Sequence, residues 1–288
     1  PAGAQQIALP PGGIDYPKEQ GITTFTRTAA NQTVPTTSKI ATGSVKLTPK
    51  EISGLIAVPN SLIKWSAPAV EGIIRRAFVM DLAVAQDQEY MTGSGGTGSV
   101  KGLLNYPRTT PNPATKSGPP VRDFVSQYAG PGWATNGNAF RATDVALIVA
   151  LEESAPDREG GTAWVMTPNR WASITNFQAD QGGSALGAFM FPVTRDQLSG
   201  LPSKVMQNVQ VITSTIVPED RTKGSGTALG VLVYGNFRKC VIGRLGAIEL
   251  SMSTDFLYGS NQTAFRATAY DDMALLQEEC FVVADQLL

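Results

Sequence analysis

The residue types that most often carry out chemistry are sparse in this chain of 288 residues, and histidine is absent. Without histidine, Ser-His-Asp and Cys-His catalysis and His-ligated zinc are excluded. The two cysteines, Cys240 and Cys280, belong to no C-x-x-C motif, and each lies in an apolar, strand-like stretch. We therefore expect two buried free thiols and a cytosolic origin.

Two pairs of adjacent carboxylates, Asp271-Asp272 and Glu278-Glu279, are the other candidates for chemistry. Adjacent residues of a strand point to opposite faces, so neither pair can line one metal site without a bulge. We expect these side chains to be surface charges or subunit contacts.

Gly93, Gly95 and Gly98 match the G-x-G-x-x-G pattern of dinucleotide sites. Such a site needs the glycines to follow a strand and open a helix, whereas here they follow a predicted helix. They indicate a helix end and a tight turn. The sequence predicts no catalytic residue, no cofactor-binding residue, no metal ligand and no enzymatic activity.

Three helices are predicted. The longest covers 66–91, with Ser66 as the N-cap and Pro68 in the first turn. Its apolar residues lie on one face at helical spacing: Val70, Ile73, Ile74, Ala77, Met80 and Val84. A second helix covers 142–154. A third begins with Thr167 as the N-cap and Pro168 at the first position.

The other predicted elements are short strands, a long loop and an N-terminal excursion. The strands cover 163–166, 209–217, 228–234, 237–242, 247–254, 263–270 and 279–283. Trp164 and Trp171 flank a strand-to-helix turn and are expected to be core residues, and 105–138 is expected to be a surface loop. Residues 1–13 form an extended arm, and 14–58 form a long β-hairpin with too little apolar surface to fold alone.

Composition narrows the class of protein. Charged residues make up 16% of the chain and the net charge is −1, which excludes the basic footprint of a direct nucleic-acid reader. No apolar run reaches the roughly 18 residues of a membrane span. A surface with few charges suits self-association, although composition alone fits a Thr-rich monomeric β protein equally well.

Several segments carry a resemblance to a known family. Residues 45–50, 58–63 and 87–104 resemble the V-x-L-T-P-K-K strand, the V-S-N-E-L-L turn and the end of the long helix in tailed-bacteriophage major capsid proteins. Residues 164–171, 198–202 and 233–237 resemble that family's W-V-M-N-P-x-x-W, L-x-G-x-P-V and F-G-D-F segments. Order and spacing hold from about residue 10 to residue 285.

The resemblance implies an α+β chain with the Hong Kong 97 fold. Residues 1–13 would be the N-terminal arm, 14–58 the extended hairpin (E-loop), and 59–138 a peripheral domain with the spine helix 66–91. Residues 139–245 would form the axial domain, 246–276 the return strands of the peripheral domain, and 277–288 a C-terminal strand of the axial domain.

The function implied is that of a major capsid protein that assembles with itself into hexamers and pentamers of an icosahedral shell. Expected partners are portal, scaffolding, protease and decoration proteins, and double-stranded DNA contacted without sequence preference, with no membrane. The expected location is the virion, after assembly in the host cytoplasm. The start at Pro1 fits a processed precursor or a chain without a scaffolding segment. The alternatives are an encapsulin-like compartment and a soluble β-rich glycan-binding or hydrolytic protein.

Some shells of this family form Lys–Asn isopeptide bonds between subunits, with an acid nearby. In our alignment, Lys39 and Asn261 do not match the positions of the family's reactive lysine and asparagine. The position of that asparagine is nearer Ala264, and Asp271 matches the family's acid. We therefore expect no covalent cross-links.

Overall fold

Two large β-sheets, two two-stranded sheets and four α-helices organise the described part of the chain, and they confirm the α+β class. The computed structural model describes residues 3–20, 41–65, 69–109, 121–124, 140, 142–153, 160–176, 178–180, 186–189, 204–223 and 225–287. The helices are α1 (Asn60–Trp65), α2 (Ala69–Thr92), α3 (Ala142–Glu153) and α4 (Pro168–Thr175).

The strands are β1 (Gln5–Ala8), β2 (Ile14–Gln20), β3 (Ala41–Leu47), β4 (Lys50–Pro59), β5 (Arg108–Thr109), β6 (Val121–Asp123), β7 (Thr162–Met166), β8 (Gln178–Asp180), β9 (Leu186–Phe189), β10 (Val205–Met206), β11 (Val209–Thr213), β12 (Arg221–Lys223), β13 (Gly226–Asn236), β14 (Cys240–Ser253), β15 (Gln262–Leu275) and β16 (Phe281–Leu287).

The first sheet joins the two ends of the sequence, in the order β1-β14-β15-β4. The long strands β14 and β15 are antiparallel, β4 runs antiparallel to β15 from Gln262 to Asp271, and β1 is parallel to the start of β14. Helix α2 lies on one face, where Phe78 and Leu82 pack on the small side chains of Ala267 and Ala269. Small residues on the strand allow the helix to approach closely.

The second sheet has eight strands, ordered β10-β11-β7-β13-β16-β6-β5, with β12 beside β13. Its central strands are nearly continuous apolar runs because both faces are covered. On β7, Ala163 and Val165 face a core shared with the end of α2, whereas Trp164 and Met166 face a core beneath α3 and α4. Trp164 is fully buried and Trp171 is buried, so the prediction that both are core residues is confirmed.

The hairpin is shorter than the predicted 14–58. β2 and β3 pair from Ile14↔Leu47 to Gln20↔Ala41, but β4 pairs with β15 in the first sheet instead of with the hairpin. Residues 21–40, in the middle of the predicted hairpin, lie outside the described residues. The arm prediction for 1–13 needs refinement too, since β1 forms parallel ladder contacts with Val241–Arg244 of β14.

Helix boundaries agree closely with the sequence prediction. The side chain of Thr167 accepts a hydrogen bond from the backbone N–H of Arg170 at 3.3 Å, with Pro168 at the first helical position. The caps predicted at Ser66 and Pro68 lie outside the described residues. Part of the predicted loop 105–138 is wrong, because β6 enters the second sheet beside β16 and Val121 and Phe124 are buried.

Candidate functional site

Large apolar side chains are exposed at one end of the first sheet, where α1 follows β4 and the β14–β15 turn lies beside it. We call this surface the sheet tip. Trp65 is 88% exposed and Tyr258 is 85% exposed, far more than monomeric proteins usually allow for such residues. The members of the sheet tip are Leu62, Ile63, Trp65, Phe256 and Tyr258.

A polar clamp holds the two halves of the sheet tip together. The backbone N–H of Asn60 donates to the carbonyl of Asn261 at 3.0 Å, and the Asn60 side-chain amide donates to Asn261 Oδ1 at 2.9 Å. Thr263 Oγ1 donates to Asn60 Oδ1 at 2.6 Å. Asn261 has φ 51°, a left-handed conformation that asparagine tolerates better than most residues. The clamp therefore presents the aromatic side chains on a fixed frame.

The outward face of α2 forms a second exposed apolar surface, the outer stripe, made of Ile73, Met80 and Val84. These residues belong to the apolar face that the helical spacing defines, and Ile73 is 64% exposed. The side chains that meet the sheet are on another face of the helix. They are Phe78, which is partly buried, and Leu82, Gln86 and Tyr90, which are buried, at a spacing of four residues. The sequence holds apolar residues on both sides of this helix, and only one side meets the sheet.

The third exposed surface is the far half of β14. β1 covers only its start, so residues 249–253 pair with β15 on one side and with no described strand on the other. Ile248, Leu250 and Met252 are exposed there. An uncovered strand edge with apolar side chains is a template for pairing with another chain. All three surfaces are suited to contact with protein.

The expectation of surface charges was wrong for Asp271 and Asp272, which are buried, whereas Glu278 and Glu279 are partly exposed. Asp271 is 2% exposed and Asp272 is 4% exposed. The residues are nevertheless on opposite faces, as the strand alternation predicts. Glu278 forms an ion pair with Lys18 of the hairpin at 3.3 Å, and Glu279 lies near the buried guanidinium of Arg122, whose pKa it raises against the effect of burial. All four carboxylates thus act within the chain.

Burial dominates the electrostatics of the titratable groups. It raises the pKa of Asp271, against the opposing effects of the Tyr90 and Gln86 hydrogen bonds and of Arg244. Burial and Asp271 raise the pKa of Tyr90. Burial also raises the pKa of the Cys240 thiol to about 12, so this thiol stays protonated and unreactive at neutral pH. Cys240 and Cys280 are both buried free thiols, as predicted.

Among the described residues, no group of three His, Cys, Asp or Glu side chains is arranged to hold a metal ion. None of the helices in the same ranges is long and apolar enough to span a bilayer. Gly93, Gly95 and Gly98 follow α2, and the N–H of Gly93 donates to the carbonyl of Glu89 at 2.8 Å. Gly95 has φ 74°, as a tight turn after a helix requires.

Of the residues considered for an isopeptide bond, Asn261, Ala264 and Asp271 lie within the described part of the chain. Lys39 lies outside the described residues. Ala264 is buried, Asn261 is committed to the clamp with Asn60, and Asp271 is covered by α2.

Sequence reasoning missed the sheet tip and the clamp. A signal was present, because Phe256 and Tyr258 stand in a turn segment with Asp255, Gly259 and Asn261. Aromatic side chains in a polar turn have no core to enter, which points to an external contact.

The comparison with protein families gives a match along nearly the whole chain. The profile of the phage capsid family matches residues 6–285. Among curated proteins, the major capsid protein of Halomonas phage phiHAP-1 is 30% identical over 102 residues, which are 35% of this chain and 17% of that protein. The match therefore spans only a small part of that relative's length.

Solved structures share the fold at low sequence identity. The capsid of a native GTA particle has a TM-score of 0.73 at 13% identity, covering 99% of this chain and 89% of the other. A structure from Gordonia phage Cozz has a TM-score of 0.64 at 15% identity, covering 99% and 84%.

Proposed function

This chain belongs to the phage capsid family, and on that premise we propose that it is a structural subunit of an icosahedral capsid. Copies of it would form hexamers and pentamers of a shell in the virion, enclosing double-stranded DNA. The observation that carries the proposal is the set of exposed apolar surfaces on a chain of this family, above all the sheet tip held by Asn60 and Asn261. Heterologous contacts of one such surface with another close into rings.

The proposed division into domains is supported by the two large sheets. The proposed peripheral domain contains α2 and the first sheet, and the proposed axial domain contains the second sheet with α3 and α4. We propose that residues 50–58 belong to the peripheral domain and not to the E-loop, because β4 is a strand of the first sheet. The E-loop then consists of β2, β3 and the segment between them.

DNA contact in this proposal is weak and without sequence preference. The net charge is −1 over 288 residues, so each subunit neutralises few phosphates, and affinity depends on that number. Portal, scaffolding, protease and decoration proteins are proposed partners on the grounds of family membership. No enzymatic activity is assigned.

The test is assembly of the purified protein, measured by light scattering and negative-stain electron microscopy. The wild type is expected to give closed shells or capsomers. The Trp65→Ser/Phe256→Ser double variant is expected to keep its circular dichroism spectrum and lose assembly. The matched control is Val205→Ser, a half-exposed apolar residue at the edge of the second sheet.

A wild-type protein that stays a monomer of about 30 kDa at high concentration would contradict the proposal. Particles that contain a protein cargo and no nucleic acid would favour the encapsulin-like alternative.

A further inference from the structure

The adjacent carboxylates of Asp271 and Asp272 face two different elements of the subunit, α2 and the base of the hairpin. They occupy neighbouring positions on β15, so one points to the face that carries α2 and the other to the opposite face. The packing agrees: Ala267 and Ala269, in phase with Asp271, contact α2, whereas Ala274, in phase with Asp272, contacts Leu47 at the end of the hairpin.

On the helix face, Asp271 accepts two hydrogen bonds from α2. The side-chain amide of Gln86 donates to Asp271 Oδ2 at 2.8 Å, and the hydroxyl of Tyr90 donates to the same oxygen. Arg244 of β14 and Lys50 of β4 are its partners in the ladder. A buried carboxylate with these partners fixes where the last turns of α2 lie on the sheet.

On the opposite face, Asp272 holds the hairpin base, which we define as Leu47, Thr48 and Lys50. Its Oδ2 accepts a hydrogen bond from the backbone N–H of Thr48 at 2.9 Å, and its Oδ1 pairs with Lys50 Nζ at 3.0 Å. Leu47 is fully buried against Leu9, Val241 and Ala274. The hairpin therefore leaves the body of the subunit from a point fixed by Asp272.

We propose that the Asp271-Asp272 pair couples the position of α2 to that of the hairpin, across the thickness of the first sheet. A single peptide bond joins Asp271 and Asp272. A backbone displacement that accommodates the partners of one carboxylate therefore also moves the other carboxylate. Charge-assisted hydrogen bonds are the stronger class, and a buried carboxylate that loses its donors is costly, so neither side relaxes independently.

The test is hydrogen–deuterium exchange of the full chain, followed in residues 14–20 and 41–47 of the hairpin and 84–92 of α2. Asp272→Ala is expected to speed exchange in the hairpin about tenfold, since a hydrogen bond to a charged group is lost. It is also expected to speed exchange in 84–92 by about threefold or more, through the coupling. The Gln86→Leu/Tyr90→Phe variant should do the reverse, with the larger effect in the helix and the smaller one in the hairpin.

Glu278→Gln is the matched control, because it removes the second tether of the hairpin, the ion pair with Lys18, and leaves the carboxylate pair intact. It is expected to loosen the hairpin alone. If Asp272→Ala does not fold, Lys50→Met replaces it, since Lys50 lies near the surface. Unchanged exchange in 84–92 on release of the hairpin base overturns the proposal, and so does an equal change there in the Glu278→Gln control.

Discussion

Asp271 is a buried carboxylate whose pKa links the stability of the folded chain to pH. Burial raises its pKa above the ordinary value, and the donors on α2 and Arg244 offset only part of that effect, with Asp272 alongside adding to it. A group whose pKa is higher in the folded state binds its proton more tightly there. Its contribution to the free energy of unfolding is complete below the unfolded pKa of about 3.9 and is lost as the pH rises through the folded value.

The Asp271→Asn variant tests this at single-residue resolution. Asparagine keeps an oxygen acceptor for Tyr90 or Gln86 and does not titrate. In urea unfolding from about pH 4 to about pH 8, the wild type should lose stability with rising pH where the variant does not. The free energy of unfolding of the Asp271→Asn variant, relative to that of the wild type, should therefore increase toward neutral pH.

The control for this experiment is Asp81→Asn, which makes the same chemical change at an exposed position on α2. Its pH profile should run parallel to that of the wild type. A parallel profile for Asp271→Asn as well would show that the buried carboxylate does not titrate in this range.

The sequence predicted the role of a residue correctly where that role depends only on neighbouring residues in the chain. Thr167 and Pro168 are a capping pair whose preference depends only on the first turn of the helix. The roles of Asp271 and Asp272 could not be predicted from the sequence. Strand alternation indicates that the two side chains point to opposite faces of the sheet, but it does not indicate what packs on each face. Their partners, Gln86 and Thr48, are distant in sequence.

At the scale of elements, the arm is held by a close approach of backbone and side chain. A Cβ atom at Gly243 would lie 2.5 Å from Leu9 Cγ, so only glycine leaves room for the buried Leu9. The N–H of Leu9 donates to the carbonyl of Arg244 at 2.8 Å. The packing of β1 against β14 therefore depends on the absence of a side chain at Gly243.

The Gly243→Ala variant is expected to displace Leu9 and release β1 while the rest of the fold persists. Overpacking of this kind costs about 1–3 kcal/mol, which limits the damage to the arm. Hydrogen–deuterium exchange should become faster in residues 5–8, and a hydrophobic dye should bind more strongly. Gly259→Ala is the matched control, because a Cβ there meets no atom within 4 Å. Protection of residues 5–8 equal to the wild type would contradict the expected displacement.

The C-terminal end of α2 was predictable from the sequence, and the orientation of the helix on the sheet was not. Capping and breaker residues define where a helix begins and ends, and these are local. The choice of buried face depends on the partner surface. The small residues Gly54, Ala267 and Ala269 and the acceptor Asp271 select Phe78, Leu82 and Gln86 over the more apolar outer stripe.

At the scale of the whole molecule, much of the fold was accessible from the order of the family-like segments, because they mark the strands and the long helix. The sheet tip was not accessible. Its two halves, around residues 60–65 and 256–261, come together only when β4 pairs with β15. Non-local pairing of this kind leaves no local pattern.

If this chain assembles as proposed, its shells should contain no covalent cross-links. The amide of Asn261 is engaged with Asn60, and bond formation needs an amine within roughly 3–3.5 Å of the amide carbon in a fixed geometry. Boiled particles on a denaturing gel should give a single band of about 30 kDa, the mass of one chain. A ladder of multimers that disappears in Lys39→Ala or Asn261→Ala, and persists in the control Lys64→Ala, would refute this expectation.

The order β1-β14-β15-β4 sets a schedule for the chain during its synthesis. β4 ends at Pro59 and can pair only after β15, which begins at Gln262, has been synthesised. At typical elongation rates of about 5–20 residues per second, that wait lasts on the order of 10–40 s. Until then the ribosome-bound chain has neither the clamp nor the finished sheet tip. In the proposed assembly, contacts through the sheet tip would therefore form only after β15 has been synthesised, which would delay association between neighbouring nascent chains on the same message.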